Sequence, residues 1–166
     1  MLNRIKQFFL SLFSRMKAED VNFINIYLDR FEINIFLKLK KSEQKHSVRV
    51  AKLVILVSKE KDEYKQIKVD RIIRAALLHD VGKICKKINV FQKVLMVLIN
   101  KRFGERIRRL DKFKFVDCYY NHANMSYNML KDHIKDEKLL FLIKNHDKKI
   151  KDDLELGLLR YCDDKN

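Results

Sequence analysis

The chain has 166 residues, carries a net charge of +15 and is 47% hydrophobic, with no proline and only three glycines. Its length suits one domain with a buried core, and the shortage of turn-forming residues argues against an all-β fold. We therefore predict an all-α protein, organised as a single compact helical bundle.

The positive charge has two interpretations. It attracts anionic partners, such as nucleic acid, nucleotides or a membrane surface, if the basic side chains form a patch. It has no such meaning if a codon-level bias towards lysine, isoleucine and asparagine has spread lysine over the whole surface. The densest basic run, residues 101–114, is accordingly either a solvated helix face or a rim that attracts phosphates.

The N-terminal residues 1–17 are predicted to form an amphipathic helix with basic and aromatic side chains. Such a helix either covers the core of its own domain or makes peripheral contact with an anionic membrane. No cleavage site follows it, and no stretch of the chain reaches the roughly 18 to 20 apolar residues that span a bilayer. The three cysteines form no CxxC pair. These features predict a cytoplasmic protein without a disulfide framework.

The central feature of the sequence is the run from Ala75 to Lys83, in which small and apolar residues give way to His79, Asp80 and Gly82. In helical phase His79 lies on the apolar face, so its ring is expected to point inward, where an unpaired polar group is costly. Gly82 is expected to end the helix as a left-handed cap. A neutral nitrogen and a charged oxygen at nearly the same point suit a divalent transition metal.

Further ionisable residues lie on the apolar stripes of other predicted helices. Asp163 shares a face with apolar residues whereas Asp164 does not, and His133 is about 16 Å along the helix from His122, too far to share a metal ion. One inward histidine is more often an ordinary core residue, but a group of them must be paired, neutralised or bound to metal. The inward-facing candidates, from five helices, are His46, His79, Asp80, His122, His146 and Asp163.

Four imidazole nitrogens and two carboxylates suffice for two metal ions bridged by a carboxylate, with water in the remaining positions. Two ions about 3.5 to 4 Å apart generate hydroxide near neutral pH and neutralise a phosphoryl group during in-line attack. The pattern therefore predicts hydrolysis of phosphoesters or phosphoanhydrides by a metal-bound hydroxide. These ligands accept Fe, Mn, Co, Ni or Zn, with Mg as an alternative, and do not select among them.

The order H…HD…H…H…D resembles that of the HD superfamily of metal-dependent phosphohydrolases, and Leu78–Lys83 is similar to its HDIG-type signature. Residues 46–51 resemble the helix with the family's first histidine, and residues 122–126 and 159–163 resemble the segments with its third histidine and final aspartate. The resemblance implies an HD-type helical domain. Its predicted limits are residues 43–166, preceded by an N-terminal helical extension, residues 1–42, packed on or beside it.

The resemblance also implies roles for individual residues. Lys83 would act with Asp80 in catalysis by meeting a substrate phosphate, unless it only faces the dipole at a helix end. Arg49, one turn beyond His46, is a weaker candidate for binding substrate phosphate. Asp80 would bridge the ions if two are bound. The implied core metal ligands are His46, His79, Asp80 and Asp163, and the remaining ligands of a second ion are His122 and His146.

The leading functional prediction is a metal-dependent phosphohydrolase that acts on a nucleotide or another small phosphorylated molecule. Phosphomonoesterase, phosphodiesterase and dinucleoside polyphosphate hydrolase activities all fit this chemistry. Two alternatives stay open: a nuclease acting on RNA or single-stranded DNA, which the positive charge favours, and a non-catalytic helical module that binds metal. The complete set of candidate ligands argues against the second alternative. The sequence does not determine the substrate, the number of ions or the oligomeric state.

Overall fold

The chain is helical throughout the part that the structure describes. The computed structural model describes residues 15–85 and 114–166, and within them it contains seven α-helices, two 3₁₀ helices and no strand. The all-α prediction is confirmed. The α-helices are α1 (Ala18–Tyr27), α2 (Arg30–Phe36), α3 (Lys41–Glu60), α4 (Val69–Leu78), α5 (Lys114–Leu130), α6 (Glu137–Asn145) and α7 (Leu154–Lys165). The 3₁₀ helices are Asp62–Tyr64 and Val81–Cys85.

Helix α4 lies at the centre of the fold and packs against α1, α2, α3, α6 and α7. Two consecutive alanines near its end, Ala75 and Ala76, let the neighbouring helices approach closely, because their side chains occupy little space at the contact. The helix therefore carries the residues that follow it into the interior of the bundle. Its fully or almost fully buried side chains are Ile72, Ile73, Ala75, Ala76, Leu77 and Leu78.

Two arginines of α4 form ion pairs with acidic residues of three neighbouring helices. Nη2 of Arg74 lies 2.8 Å from Oε1 of Glu32, whose side chain in α2 is completely buried. Nε of Arg71 lies 2.9 Å from Oδ2 of Asp136, and its Nη1 lies 3.0 Å from Oε1 of Glu155. Asp136 is the N-cap of α6 and Glu155 lies in the first turn of α7. A single guanidinium therefore contacts the N-terminal ends of two further helices.

Helix α1 is joined to α3 by the buried carboxylate of Asp20. Its two oxygens lie 2.5 Å from Nζ of Lys45 and 2.8 Å from Nζ of Lys52. Burial alone would raise the pKa of Asp20, but its hydrogen bonds to these two lysines and to the backbone of Lys17 hold that pKa well below the usual range. Phe36, at the end of α2, is also buried in the common core. The predicted boundary at residue 42 stays a prediction.

The end of α4 differs from the prediction. The helix ends at Leu78, its C-cap His79 keeps right-handed helical backbone angles, and Gly82 lies within the next 3₁₀ helix. The expected left-handed cap at Gly82 is therefore wrong. Gly82 is needed for a different reason, because a β-carbon there would lie 2.1 Å from the backbone oxygen of His122 in α5. The missing side chain allows the 3₁₀ helix to contact α5 directly.

Two sequence predictions lie wholly or mostly outside the described residues. They are the amphipathic N-terminal helix, of which residues 1–14 are not described, and the basic run up to residue 113. Among the helices of the described ranges, none combines the length and the apolar character needed to cross a bilayer.

Candidate metal centre

Five helices bring the six candidate ligands to one place in the bundle. Three of the six are buried and three are partly exposed, so the cluster is accessible from solvent. Helix α3 carries His46, α4 is followed by His79 and Asp80, α5 carries His122, α6 is followed by His146, and α7 carries Asp163.

Two of the histidines are held in the same way, each as the C-cap of its helix. Nδ1 of His79 lies 2.8 Å from the carbonyl oxygen of Ala76, and Nδ1 of His146 lies 2.8 Å from that of Ile143. A carbonyl oxygen only accepts, so Nδ1 carries the proton in each neutral ring and Nε2 is left with a free lone pair. This arrangement fixes the orientation of a metal-binding imidazole in many proteins.

The carboxylate of Asp80 lies between two pairs of imidazole rings. Its Oδ2 is 3.4 Å from Nε2 of His79 and 4.0 Å from Nε2 of His46. Its Oδ1 is 3.5 Å from Nε2 of His122 and 3.9 Å from Nε2 of His146. Each oxygen therefore faces a different pair of potential nitrogen ligands.

Two further short contacts lie within these two halves of the cluster, and the rings of His79 and His146 meet between the halves at a centroid distance of 4.7 Å. Oδ1 of Asp163 lies 2.9 Å from Nε2 of His46 and 3.7 Å from Nε2 of His79. On the other side of Asp80, the Nε2 atoms of His122 and His146 are 3.2 Å apart. One half contains two histidines and a second carboxylate, and the other contains two histidines.

The charges within the cluster favour a bound cation. Burial disfavours protonation of His79, but the carboxylates of Asp80 and Asp163 outweigh it and raise the pKa of His79 to about 9. Burial and the nearby His79 lower the pKa of His146 to about 4, which favours its neutral form. Burial alone would raise the pKa of Asp80, but His79 and Lys83 hold it well below the usual range. The carboxylate therefore stays ionised.

The donor atoms fit a divalent transition metal. Within the described part of the chain, Nε2 of His79 and Oδ1 of Asp80 are buried and have no hydrogen-bond partner. Unpartnered buried polar atoms are costly, and a metal ion would satisfy both. Two groups of three residues each offer donor atoms that all lie within 4.8 Å of one another. One group is His46, His79 and Asp163, and the other is His79, Asp80 and His146. These sets can hold a divalent metal, as HD domains do, without fixing its identity or the number of ions.

Two other ionisable residues lie away from the cluster, as the distance of His133 along its helix and the helical phase of Asp164 predicted. Nε2 of His133 lies 2.8 Å from Oδ2 of Asp29, and its ring stacks on that of Phe31 at a centroid distance of 4.2 Å. Asp164 is exposed, whereas its neighbour Asp163 contacts the cluster. The six side chains are brought together, and their role as metal ligands stays a prediction.

The two candidate phosphate-binding residues have different surroundings. Nζ of Lys83 lies 2.5 Å from Oδ2 of Asp80, at the edge of the cluster. Arg49 is half-buried in α3, and its Nε and Nη2 are buried without a hydrogen-bond partner among the residues that the structure describes. Burial lowers the pKa of its guanidinium. An unpaired, partly desolvated cation of this kind is destabilising unless an anion binds to it.

Two residues at the site were missed in the sequence. The Ser126 hydroxyl accepts a 2.8 Å hydrogen bond from the backbone N–H of Gly82 and lies 2.7 Å from the carbonyl oxygen of His79. The carboxylate of Glu43 is buried, and its Oε2 lies 3.6 Å from Nζ of Lys83. Helical phase gave a signal for both, since Ser126 lies one turn after His122 and Glu43 lies nearly one turn before His46.

The HD domain family model matches residues 44–164, which is more than half of the chain and includes all six candidate ligands. The chain therefore belongs to the HD superfamily of metal-dependent phosphohydrolases, as its sequence predicted. No curated protein sequence and no solved structure matches it with significance.

Proposed function

We propose that the protein is a phosphohydrolase that cleaves a nucleotide or another small phosphoester or phosphoanhydride with the help of divalent metal. The proposal depends mainly on Asp80, whose Oδ2 faces His46 and His79 while its Oδ1 faces His122 and His146. A carboxylate between two pairs of imidazole nitrogens suits two divalent ions joined by one bridging ligand.

In this proposal each half of the cluster would hold one ion, and Asp80 would contribute a ligand to both. Bound divalent ions supply an activated water and stabilise negative charge on a phosphoryl group. The chain itself provides rigid positioning, because the rings of His79 and His146 are fixed by their hydrogen bonds to main-chain carbonyls. The first ion would be held by His46, His79, Asp80 and Asp163, and the second by Asp80, His122 and His146.

Two basic side chains, Lys83 and Arg49, flank His46 and support a substrate with several phosphoryl groups. Lys83 pairs with Glu43, nearly one turn before His46 in α3, and Arg49 lies nearly one turn after it. Glu43 and Arg49 are therefore separated by about 9 Å along the helix axis. In this proposal one phosphoryl group of a phosphoanhydride chain contacts Lys83 and another contacts Arg49. We propose a nucleoside polyphosphate or dinucleoside polyphosphate as the preferred substrate.

The test begins with protein purified without chelator or metal-affinity resin. Elemental analysis is expected to find one or two transition-metal ions per chain, and nucleoside polyphosphates are expected to be hydrolysed with Mn²⁺, Co²⁺, Ni²⁺, Fe²⁺ or Mg²⁺. Nucleoside monophosphates and a model phosphodiester complete the panel. Asp80→Asn, which keeps the shape of the side chain, is expected to abolish both metal retention and turnover. Turnover that persists in this variant or in excess chelator would contradict the proposal.

A further inference from the structure

Lys83 is shared between two carboxylates, and one of them belongs to the metal centre. Its Nζ lies 2.5 Å from Oδ2 of Asp80 and 3.6 Å from Oε2 of Glu43. The side chain of Lys83 is 27% exposed, whereas those of Glu43 and Asp80 are 8% and 1% exposed. The ammonium group therefore lies on the solvent side of two buried acids.

The oxygen of Asp80 that Lys83 contacts is the one that faces His46 and His79. An ammonium group and a divalent ion on the same carboxylate oxygen repel each other, and the low dielectric of a buried site strengthens that repulsion. Lys83 and a metal ion therefore compete for Asp80. A second carboxylate close to Lys83 reduces this competition, because the ammonium can move towards it and remain paired.

Glu43 is well placed to be that second carboxylate. It lies in the first turn of α3, and Gln44 beside it fixes the start of this helix through hydrogen bonds of 3.0 Å and 2.9 Å to the carbonyl oxygens of Leu37 and Leu39. An acid in the first turn of a helix needs no burial to interact with the helix dipole. Glu43 is buried with its Oε2 3.6 Å from Nζ of Lys83, so it can interact with the ammonium group as well as with the helix dipole.

We propose that Glu43 is a positioning residue that draws the ammonium group of Lys83 away from Asp80 when metal binds. This inference rests on the metal site of the proposed function and adds a residue to it. Glu43 frees Oδ2 of Asp80 for the ion and keeps the positive charge of Lys83 beside the site, where a phosphate group of the substrate can contact it.

The test is a double-mutant cycle read by the affinity for Co²⁺ alone, measured by its visible absorption in competition with a chromophoric chelator. Glu43→Gln is expected to weaken Co²⁺ binding about tenfold, a typical effect of changing a residue that orients a ligand. Lys83→Met is expected to strengthen it. In the Lys83→Met background, Glu43→Gln is expected to have little effect, because the residue through which it acts is gone.

Two further variants separate positioning from charge. Glu60→Gln removes an exposed carboxylate from the end of the same helix and is expected to leave the Co²⁺ affinity unchanged. Glu43→Asp keeps the charge but withdraws it from Lys83, and it is expected to show part of the loss. It also replaces Glu43→Gln in the cycle if the glutamine variant fails to fold.

An equal effect of Glu43→Gln with and without Lys83 would overturn the inference, since Glu43 would then act on the ion through its charge alone. No effect in either background would overturn it as well. The measurement uses no substrate, so its outcome is separate from that of the proposed function. If the effects of the Glu43 and Lys83 substitutions on Co²⁺ affinity are coupled but no substrate is hydrolysed, the inference stands and the proposed function is wrong. If substrate is hydrolysed but the two effects are not coupled, the proposed function stands and the inference is wrong.

Discussion

Gly82 lies so close to His122 that a β-carbon on the glycine would be 2.1 Å from the backbone oxygen of the histidine. The same atom would lie 2.7 Å from the backbone nitrogen of Ser126. Both clashes are with main-chain atoms of α5, which cannot move without displacing the helix. The glycine of the sequence motif therefore determines how closely α5, and with it one half of the metal centre, approaches Asp80.

Gly82→Ala is accordingly expected to lower the free energy of unfolding by about 1 to 3 kcal/mol, as overpacking of a core does. It is also expected to reduce the metal bound per chain, because His122 moves away from Asp80. Denaturant unfolding and elemental analysis measure these two effects.

The matched control for this substitution is Gly157→Ala. Gly157 lies within α7, and a β-carbon there has no neighbour within 4 Å in residues 15–85 and 114–166. Alanine is expected to stabilise the protein at this position by about 0.5 to 1 kcal/mol, because glycine is a poor helix former. Similar destabilisation by the two substitutions would show that the close approach of Gly82 to α5 is not what matters.

Helical phase was sufficient to group the candidate ligands because each helix has a clear apolar stripe. His79 and His146 lie just beyond the ends of their helices, but both keep right-handed helical backbone angles, so the phase extends to them. The same reasoning separated Asp163 from Asp164. A local pattern can thus predict which side chains face the interior.

Contacts between distant segments could not be predicted in this way. The cap expected at Gly82 was wrong because the close approach of α5 depends on the packing of two helices, and no local pattern contains it. The pairing of Lys83 with Glu43 depends in the same way on how the end of α4 meets the start of α3. Phase gives the direction of a side chain but not the partner that it contacts.

Asp163 and Asp164 provide a matched pair of substitutions for the metal centre. Oδ1 of Asp163 lies 2.9 Å from Nε2 of His46, whereas Asp164 is exposed. Asp163→Asn is expected to weaken metal binding by at least about a hundredfold, because mutation of a residue that only orients a ligand already lowers metal affinity 10- to 100-fold. Asp164→Asn is expected to leave the affinity unchanged. Metal titration measures both, and equal losses would show that overall charge, not the position of Asp163, controls binding.

Arg49 is expected to contribute to substrate binding at the expense of stability. Two of its nitrogens are buried without a hydrogen-bond partner in the described residues, and an unpaired buried donor costs about 1 to 3 kcal/mol. Arg49→Met keeps much of the apolar stem and removes these donors. It is expected to leave the free energy of unfolding unchanged or higher, while the KM for a nucleoside polyphosphate rises about tenfold or more.

The control for Arg49→Met is Lys59→Met, which removes an exposed positive charge from the same helix. This variant is expected to change the KM much less, since solvent screens the charge. A large fall in stability of Arg49→Met with an unchanged KM would show instead that the guanidinium serves the fold.

Asp20 is expected to make the stability of the protein depend on pH in the acidic range. Its pairing with Lys45 and Lys52 lowers its pKa in the folded protein, so the folded state binds fewer protons than the unfolded state at low pH. The resulting stabilisation is complete above the unfolded pKa of about 4 and is lost as the pH falls below it. Asp20→Asn is therefore expected to lower the free energy of unfolding at pH 7 by about 3 kcal/mol, the cost of breaking a buried ion pair, and to flatten its dependence on pH below 5.

Denaturant unfolding from pH 7 to pH 3 measures both effects of Asp20→Asn. Glu19→Gln, a neighbouring exposed acid in α1, is expected to change neither, and an unchanged pH profile in Asp20→Asn would show that other carboxylates control acid unfolding.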